Sequence, residues 1–276
     1  MRKSKLSRAL IVFLALLTAI SPVGINAAEG TSTTTSIEEV RELLEAQTYY
    51  DYLQENNNLG IKDGEGSVTI KAAENFEFAK DEEYGKEGDI AKKVTDPDGE
   101  KGDVLYVPAT GTVSWKVSIP TTGYYTVKLT YRPVEDDSGS ANTSTIERVL
   151  RIDGKVPFKE ANYFEMTRSF KDVYTEQDDK GNPTFKLDFN GNDKKPEKKQ
   201  SYSWSEYSLC DSAGFHVDPF KFVFEAGERT IALEATMNDM YLYDITVQKA
   251  ESRISYEKYI EQYASLPAVD ASASYK

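Results

Sequence analysis

The sequence predicts an all-β protein, an antiparallel sandwich or barrel flanked by short helices. Three observations carry this. From Ser67 onward, apolar residues recur at every second position, the mark of strands with one buried face. Gly, Pro, Asn and Asp turn signals separate these runs at short intervals. No strand–helix–strand alternation of the kind that builds a parallel sheet is visible.

In chain order, the first element is an export signal. Arg2, Lys3, Lys5 and Arg8 precede an apolar run from Ala9 to Ile20, and Ser21 and Pro22 then lead to small residues at Ala27 and Ala28. The run is shorter than the ~20 residues that span a bilayer, so residues 1–27 read as a signal peptide and the chain as secreted. The only cysteine is Cys210, which rules out a lipid anchor after the apolar run and any internal disulfide. Residues 28–35 form a polar leader. Ser36 with Glu39 reads as a capping box that opens a helical connector over 36–58, running through Leu43, Leu44, Tyr49, Tyr52 and Leu53 and stopped by Asn56, Asn57, Asn58 and Gly60.

The sandwich is expected over 66–250. Val113, Trp115, Val117 and Ile119 alternate with polar residues, Pro120 to Gly123 turns, and Tyr125, Val127, Leu129 and Tyr131 form the hairpin partner. Ile146 to Ile152 is a strand ended at Asp153-Gly154, and further strands are expected at Phe185 to Phe189, Phe220 to Phe224, Thr230 to Glu234 and Leu242 to Val247. Between Tyr174 and Gln200 the composition reads as a solvated insertion with one hairpin, where Lys194, Lys195, Lys198 and Lys199 form an exposed charged loop. After the sandwich, Ser255-Tyr256-Glu257-Lys258-Tyr259-Ile260 resembles Thr48-Tyr49-Tyr50-Asp51-Tyr52-Leu53, so a second helical connector is expected at 254–265 and a linker to a further module at 266–276.

Charge and residue inventory narrow the function. The whole chain carries −13, and loss of the four N-terminal cations with the signal takes it to −17, which disfavours nucleic acid as a partner. His216 is the sole histidine, so a serine–histidine–acid triad without it and a multi-histidine metal site are both excluded. Glycan binding instead needs an aromatic face for the apolar side of a sugar and polar groups for its hydroxyls. Trp115 alternates with its strand and belongs to the core. Trp204 and Tyr207 lie in a polar stretch that leads to the loop carrying Asp211 and His216; they either floor a ligand cleft or cap the end of the sandwich. Arg148 and Arg151 fall on opposite faces of one strand, and Arg148 is the candidate for the cleft.

Ser67-Val68-Thr69-Ile70-Lys71-Ala72-Ala73-Glu74-Asn75-Phe76, the hairpin around Pro120-Thr121-Thr122-Gly123-Tyr124-Tyr125, and Ala226-Gly227-Glu228-Arg229-Thr230-Ile231 with Tyr243-Asp244-Ile245-Thr246-Val247 resemble galactose-binding-like carbohydrate-binding modules. Ile146-Glu147-Arg148 with Asp153-Gly154-Lys155-Val156-Pro157-Phe158 resembles the N-terminal module of large bacterial extracellular solute-binding proteins of ABC transporters. The resemblance implies an antiparallel jelly-roll sandwich at the bacterial cell surface, with a structural calcium held by acids of the first and last strands. Glu74 and Asp244 match two such acids; Ala72 stands where many relatives have a further glutamate. Calcium takes about six to eight oxygens, so that loss weakens the site. The function this implies is non-catalytic carbohydrate binding within a larger extracellular solute-binding or glycan-handling protein that reaches transporter components through a downstream domain. A spacer or interaction domain is the alternative. A glycoside-acting enzyme, the third reading, needs two carboxylates about 5 to 9 Å apart across a groove.

Overall fold

The computed structural model describes residues 46–135, 143–250 and 256–263. The expected signal peptide, leader, Ser36–Glu39 capping box and terminal linker lie outside these residues. Among the described residues, sixteen strands build the fold: β1 Ser67–Lys71, β2 Phe76–Ala79, β3 Lys92–Thr95, β4 Asp103–Val107, β5 Gly111–Ile119, β6 Gly123–Pro133, β7 Ile146–Ile152, β8 Phe164–Met166, β9 Ser169–Val173, β10 Glu176–Gln177, β11 Pro183–Thr184, β12 Glu197–Ser201, β13 Ser205–Ser208, β14 Phe222–Phe224, β15 Gly227–Met237 and β16 Met240–Lys249.

Two antiparallel sheets face each other as a jelly-roll sandwich. In the larger, β6 and β16 pair along their length, with β13 and β14 end to end on the free edge of β6 and with β4 and β1 end to end on that of β16; β3 closes the sheet beyond β4. The smaller sheet runs β2-β5-β15-β7-β8. From β4 to β7 the chain changes sheet at each step, and it does so again from β14 to β16. The alternation along β5 sends Val113, Trp115, Val117 and Ile119 inward, and β6 answers with Tyr125, Val127, Leu129 and Tyr131. Trp115 is a core residue, 2% exposed, and its indole N–H donates to the Ala72 carbonyl at 2.9 Å.

The β5–β6 turn is pressed against segment 62–65. A Cβ on Gly123 would lie 2.5 Å from the Gly64 nitrogen, which leaves room for glycine alone. At the other end of the molecule, the β15–β16 turn uses Asn238 in the left-handed region, φ 58°.

Helix α1 spans Tyr49–Asn58, within the expected connector, whose residues before 46 lie outside those described. Thr48 has extended backbone (ψ 160°) and its hydroxyl accepts from the Asp51 N–H, so the helix opens at an N-cap of its own. Tyr49 and Tyr52 are 6% and 7% exposed, packed into the core on Phe158, so α1 is a part of the sandwich. Helix α2, Tyr256–Tyr263, buries none of its residues.

The insertion corrects one expectation. Phe185 to Phe189 is not a strand: Asp188 accepts from the N–H groups of Asn190 and Asn192, turning the chain at Gly191, and Phe189 is 97% exposed. Only a single antiparallel bridge forms there, Leu187 with Asp193, with the Asp188 N–H donating to the Asn192 carbonyl and the Lys194 N–H to the Lys186 carbonyl; the turn at 189–191 comes too soon for the pairing to extend into a strand. The ladder of the insertion is instead β9 with β12, around the small β10–β11 hairpin. Its four lysines are exposed, with Lys198 at 3.7 Å from Asp172. Phe220 is buried but precedes the strand, which begins at Phe222.

Candidate functional site

The structure separates the residues that sequence reading grouped together. Leu209 bonds to Val127 of β6, whereas Ser205, next to Trp204, pairs with Tyr131, so Trp204 and the base of the loop that carries His216 are offset by roughly 13 Å along that strand.

The His216 region forms a cleft. Asp211 shapes its loop: one carboxylate oxygen accepts from the Ala213 N–H at 2.9 Å, and the other from those of Phe215 and His216 at 2.7 and 3.0 Å. Gly214, at φ 78°, supplies the left-handed residue that this tight turn requires. The result is a braced loop that holds the Phe215 ring out in solvent, 86% exposed. His216 turns back and meets the Tyr49 ring edge-on, with centroids 5.0 Å apart. Asp211 thus acts on the loop rather than standing open to a ligand, and His216 is half-buried beside α1.

Between this loop and α1 lies an open cleft of about 600 Å³, lined by Phe215, His216, Tyr124, Asn57, Lys62, Asp63, Asp218 and Lys221 among others. Tyr124 is placed there by the pleat, since Tyr125 takes the inward position beside it. Its hydroxyl donates to the Asn57 side chain at 3.2 Å, and burial, together with Asp63, raises its pKa above the usual tyrosine value. Lys221 Nζ lies 3.5 Å from Asp63 and 5.9 Å from the Tyr124 ring centroid. The cleft therefore has an exposed ring at its rim and both donors and acceptors on its walls. Phe215, Tyr124 and Asn57 were not selected from sequence; a lone aromatic between an Asx turn and Pro219 was the available signal for Phe215.

Trp204 sits on the outer face of the larger sheet. Its indole N–H donates to Asp96 at 3.1 Å, and its ring meets Tyr243 at 6.1 Å. A β-bulge between Leu242 and Asp244 takes Tyr243 out of the register with β6. Asp96 is 3% exposed. Burial works against its charge, but the N–H groups of Lys101, Asp98 and Glu100 and the Trp204 indole outweigh it and hold its pKa below the usual carboxylate value. Trp204 is thus tied into a structural network. Tyr207, on β13, packs half-buried against the core, and its hydroxyl accepts a long contact from the Cys210 thiol at 3.8 Å.

Arg148 is a correction. It shares the inward phase of Ile146 and Leu150, is 0% exposed, and donates to the carbonyls of Glu147, Met237 and Asn238. The opposite phase of Arg148 and Arg151 made one of them the cleft candidate; the Met237 and Asn238 carbonyls at the β15–β16 turn, with that of Glu147 on β7, hold Arg148 inside instead. Burial pushes its pKa down, opposed by Asp239 and Glu147, and the guanidinium stays charged at neutral pH. Arg151 points outward to Glu234 at 3.0 Å.

The two acids matched to calcium have other surroundings. Lys71 is paired with Asp244 across β1 and β16, and its ammonium lies 3.4 Å from that carboxylate, where a cation would have to sit. Glu74 is exposed in the turn after β1. Among the described residues no group of three or more His, Cys, Asp or Glu converges. These residues do not fit a calcium ion as they stand.

No protein-family model and no curated protein matches the chain. Solved structures similar to it include a family 35 carbohydrate-binding module from Clostridium thermocellum, at 12% identity and a TM-score of 0.39, covering 67% of this chain and 100% of that one. Another is the C-terminal family 6 module of a marine laminarinase from Zobellia galactanivorans, at 11% identity and a TM-score of 0.36, covering 67% and 100%. A third is a β-(1,4)-mannanase from Podospora anserina, at 12% identity and a TM-score of 0.32, covering 68% of this chain and 29% of that one.

Proposed function

We propose that this chain is a secreted, non-catalytic carbohydrate-binding module within a larger extracellular solute-binding or glycan-handling protein, and that it takes sugar in the cleft between α1 and the loop 211–221. The observation that carries this is Phe215: an aromatic ring 86% exposed on a loop that Asp211 braces with three hydrogen bonds. Held at the rim of a cleft with polar walls, the ring presents a face for stacking, and a pyranose offers a matching apolar face. Asn57, Lys62, Asp63 and Lys221 supply mixed donors and acceptors, which suits hydroxyl groups rather than a charged ligand. Export rests on the charged and apolar pattern of residues 1–27.

A glycan array, followed by calorimetry on the best hit, tests this. Phe215→Ala is expected to weaken binding about tenfold or more while the thermal midpoint stays put. Trp204→Ala is expected to disturb the Asp96 network more than the affinity. Unchanged affinity in Phe215→Ala, or loss confined to Trp204→Ala, would move the site to the outer face of the larger sheet.

A further inference from the structure

Helix α1 reveals how a pair of tyrosines three residues apart recognises this kind of sandwich. The Tyr49 hydroxyl accepts from the Lys221 N–H at 2.9 Å, and the Tyr52 hydroxyl accepts from the Val223 N–H at 2.6 Å. These are alternate N–H groups on the edge of β14 that faces away from β6, so the two hydroxyls seal a free strand edge. Beneath them, Phe158 and Phe220 receive the rings at centroid distances of 4.5 to 5.1 Å. Leu53, on the same face, packs on the core.

Helix α2 repeats the pattern. Tyr256, Tyr259 and Ile260 stand at the spacing of Tyr49, Tyr52 and Leu53, and Tyr263 extends the stripe by one turn. The non-conservative differences fall at α1 positions that are themselves exposed, Tyr50 and Asp51, which correspond to Glu257 and Lys258, while Thr48 and Leu53 correspond to the similar Ser255 and Ile260. Yet the four apolar residues of α2 are 73%, 49%, 45% and 48% exposed. The face that is buried in α1 is open in α2.

We infer that α2 is a docking helix for a second sandwich built like this one: a sheet edge with alternate N–H groups open above an aromatic floor. The groove of this chain is already filled by α1, so the partner of α2 is a separate copy of the same architecture. This goes beyond sugar binding and does not depend on it.

Two measurements test it. The first gives positions 48–53 of the full chain the sequence of 255–260, by Thr48→Ser, Tyr50→Glu, Asp51→Lys and Leu53→Ile together. The thermal midpoint is expected within about 3 °C of the unaltered chain, against a fall of more than about 10 °C for Tyr49→Ala with Tyr52→Ala. A fall as large as that of the double alanine variant would overturn the inference. The second titrates a fluorescent peptide of residues 252–266 against the double alanine chain, whose groove is open, once circular dichroism shows it folded. Saturable binding is expected, lost when Tyr256 and Tyr259 of the peptide are alanine. No binding to the folded variant, or equal binding to the unaltered chain whose groove is filled, would sink the idea. If the variant does not fold, the four-residue exchange decides alone.

Discussion

At the scale of single residues, the chemistry of this protein is set by what covers each polar group. Glu147 lies opposite Glu165 across β7 and β8, and the Tyr163 hydroxyl lies 3.2 and 3.3 Å from the two carboxylates. Burial raises the pKa of Glu147 and Glu165 adds to this, against the lowering effect of Tyr163 and Arg148. A carboxyl whose folded pKa is raised binds its proton more tightly in the native state. Its contribution is therefore present below the unfolded value near 4.5 and lost as pH rises through the folded value. Glu147→Gln is expected to raise the thermal midpoint at pH 8 relative to the unaltered chain and to have little effect at pH 4; equal shifts at both values would show that charge is not the cause. Arg148→Met should leave three buried carbonyls without their donor and cost about 2 to 4 kcal/mol in urea unfolding, with glycan affinity unchanged, because the guanidinium reaches no surface.

At the scale of elements, the strands supply position and the loop 211–221 supplies the wall of the proposed cleft. The central strands β5, β6, β15 and β16 form a rigid frame, and the loop from Asp211 to Phe220 leaves it between β13 and β14, fixed at its base where Phe220 bonds to Leu209. Its conformation depends on one carboxylate. Asp211→Ala removes acceptors for three N–H groups, and the expected outcome is a five- to twentyfold loss of glycan affinity, about 1 to 2 kcal/mol, with little change in global stability. Amide exchange at Phe215 and His216 should quicken in that variant; unchanged exchange would mean that the loop is braced by its packing on Tyr49 instead.

At the scale of the whole molecule, charge decides which polymers approach. With a formal charge of −13, the chain repels polyanions at long range. It is expected to pass through a heparin column unretained at about 0.15 M salt, and its affinity for a neutral glycan should change less than about twofold between ~0.05 and ~0.5 M salt. Steep salt dependence would instead mark an acidic ligand held by Lys62 and Lys221.

The sandwich was legible in the sequence because side chains in a strand alternate with a period of two, and one buried face writes that period into the chain. β5, β6, β15 and β16 follow from it directly. The same rule misled at Phe185 to Phe189, since the turn that Asp188 forms cuts the pairing down to one bridge between Leu187 and Asp193, and alternation does not register a turn inside its own run. Composition and charge likewise follow from residues alone, as does the likeness between the two tyrosine helices. Only the tertiary structure could show that one of those helices is buried and the other open. It also decided that Arg148 lies inside, that Lys71 occupies the neighbourhood of Asp244, and that Phe215 rather than Trp204 stands free in solvent at a cleft. Each of these depends on which distant segment comes to rest against a side chain, and that is fixed by packing between sheets and loops, not by the pattern along any one of them.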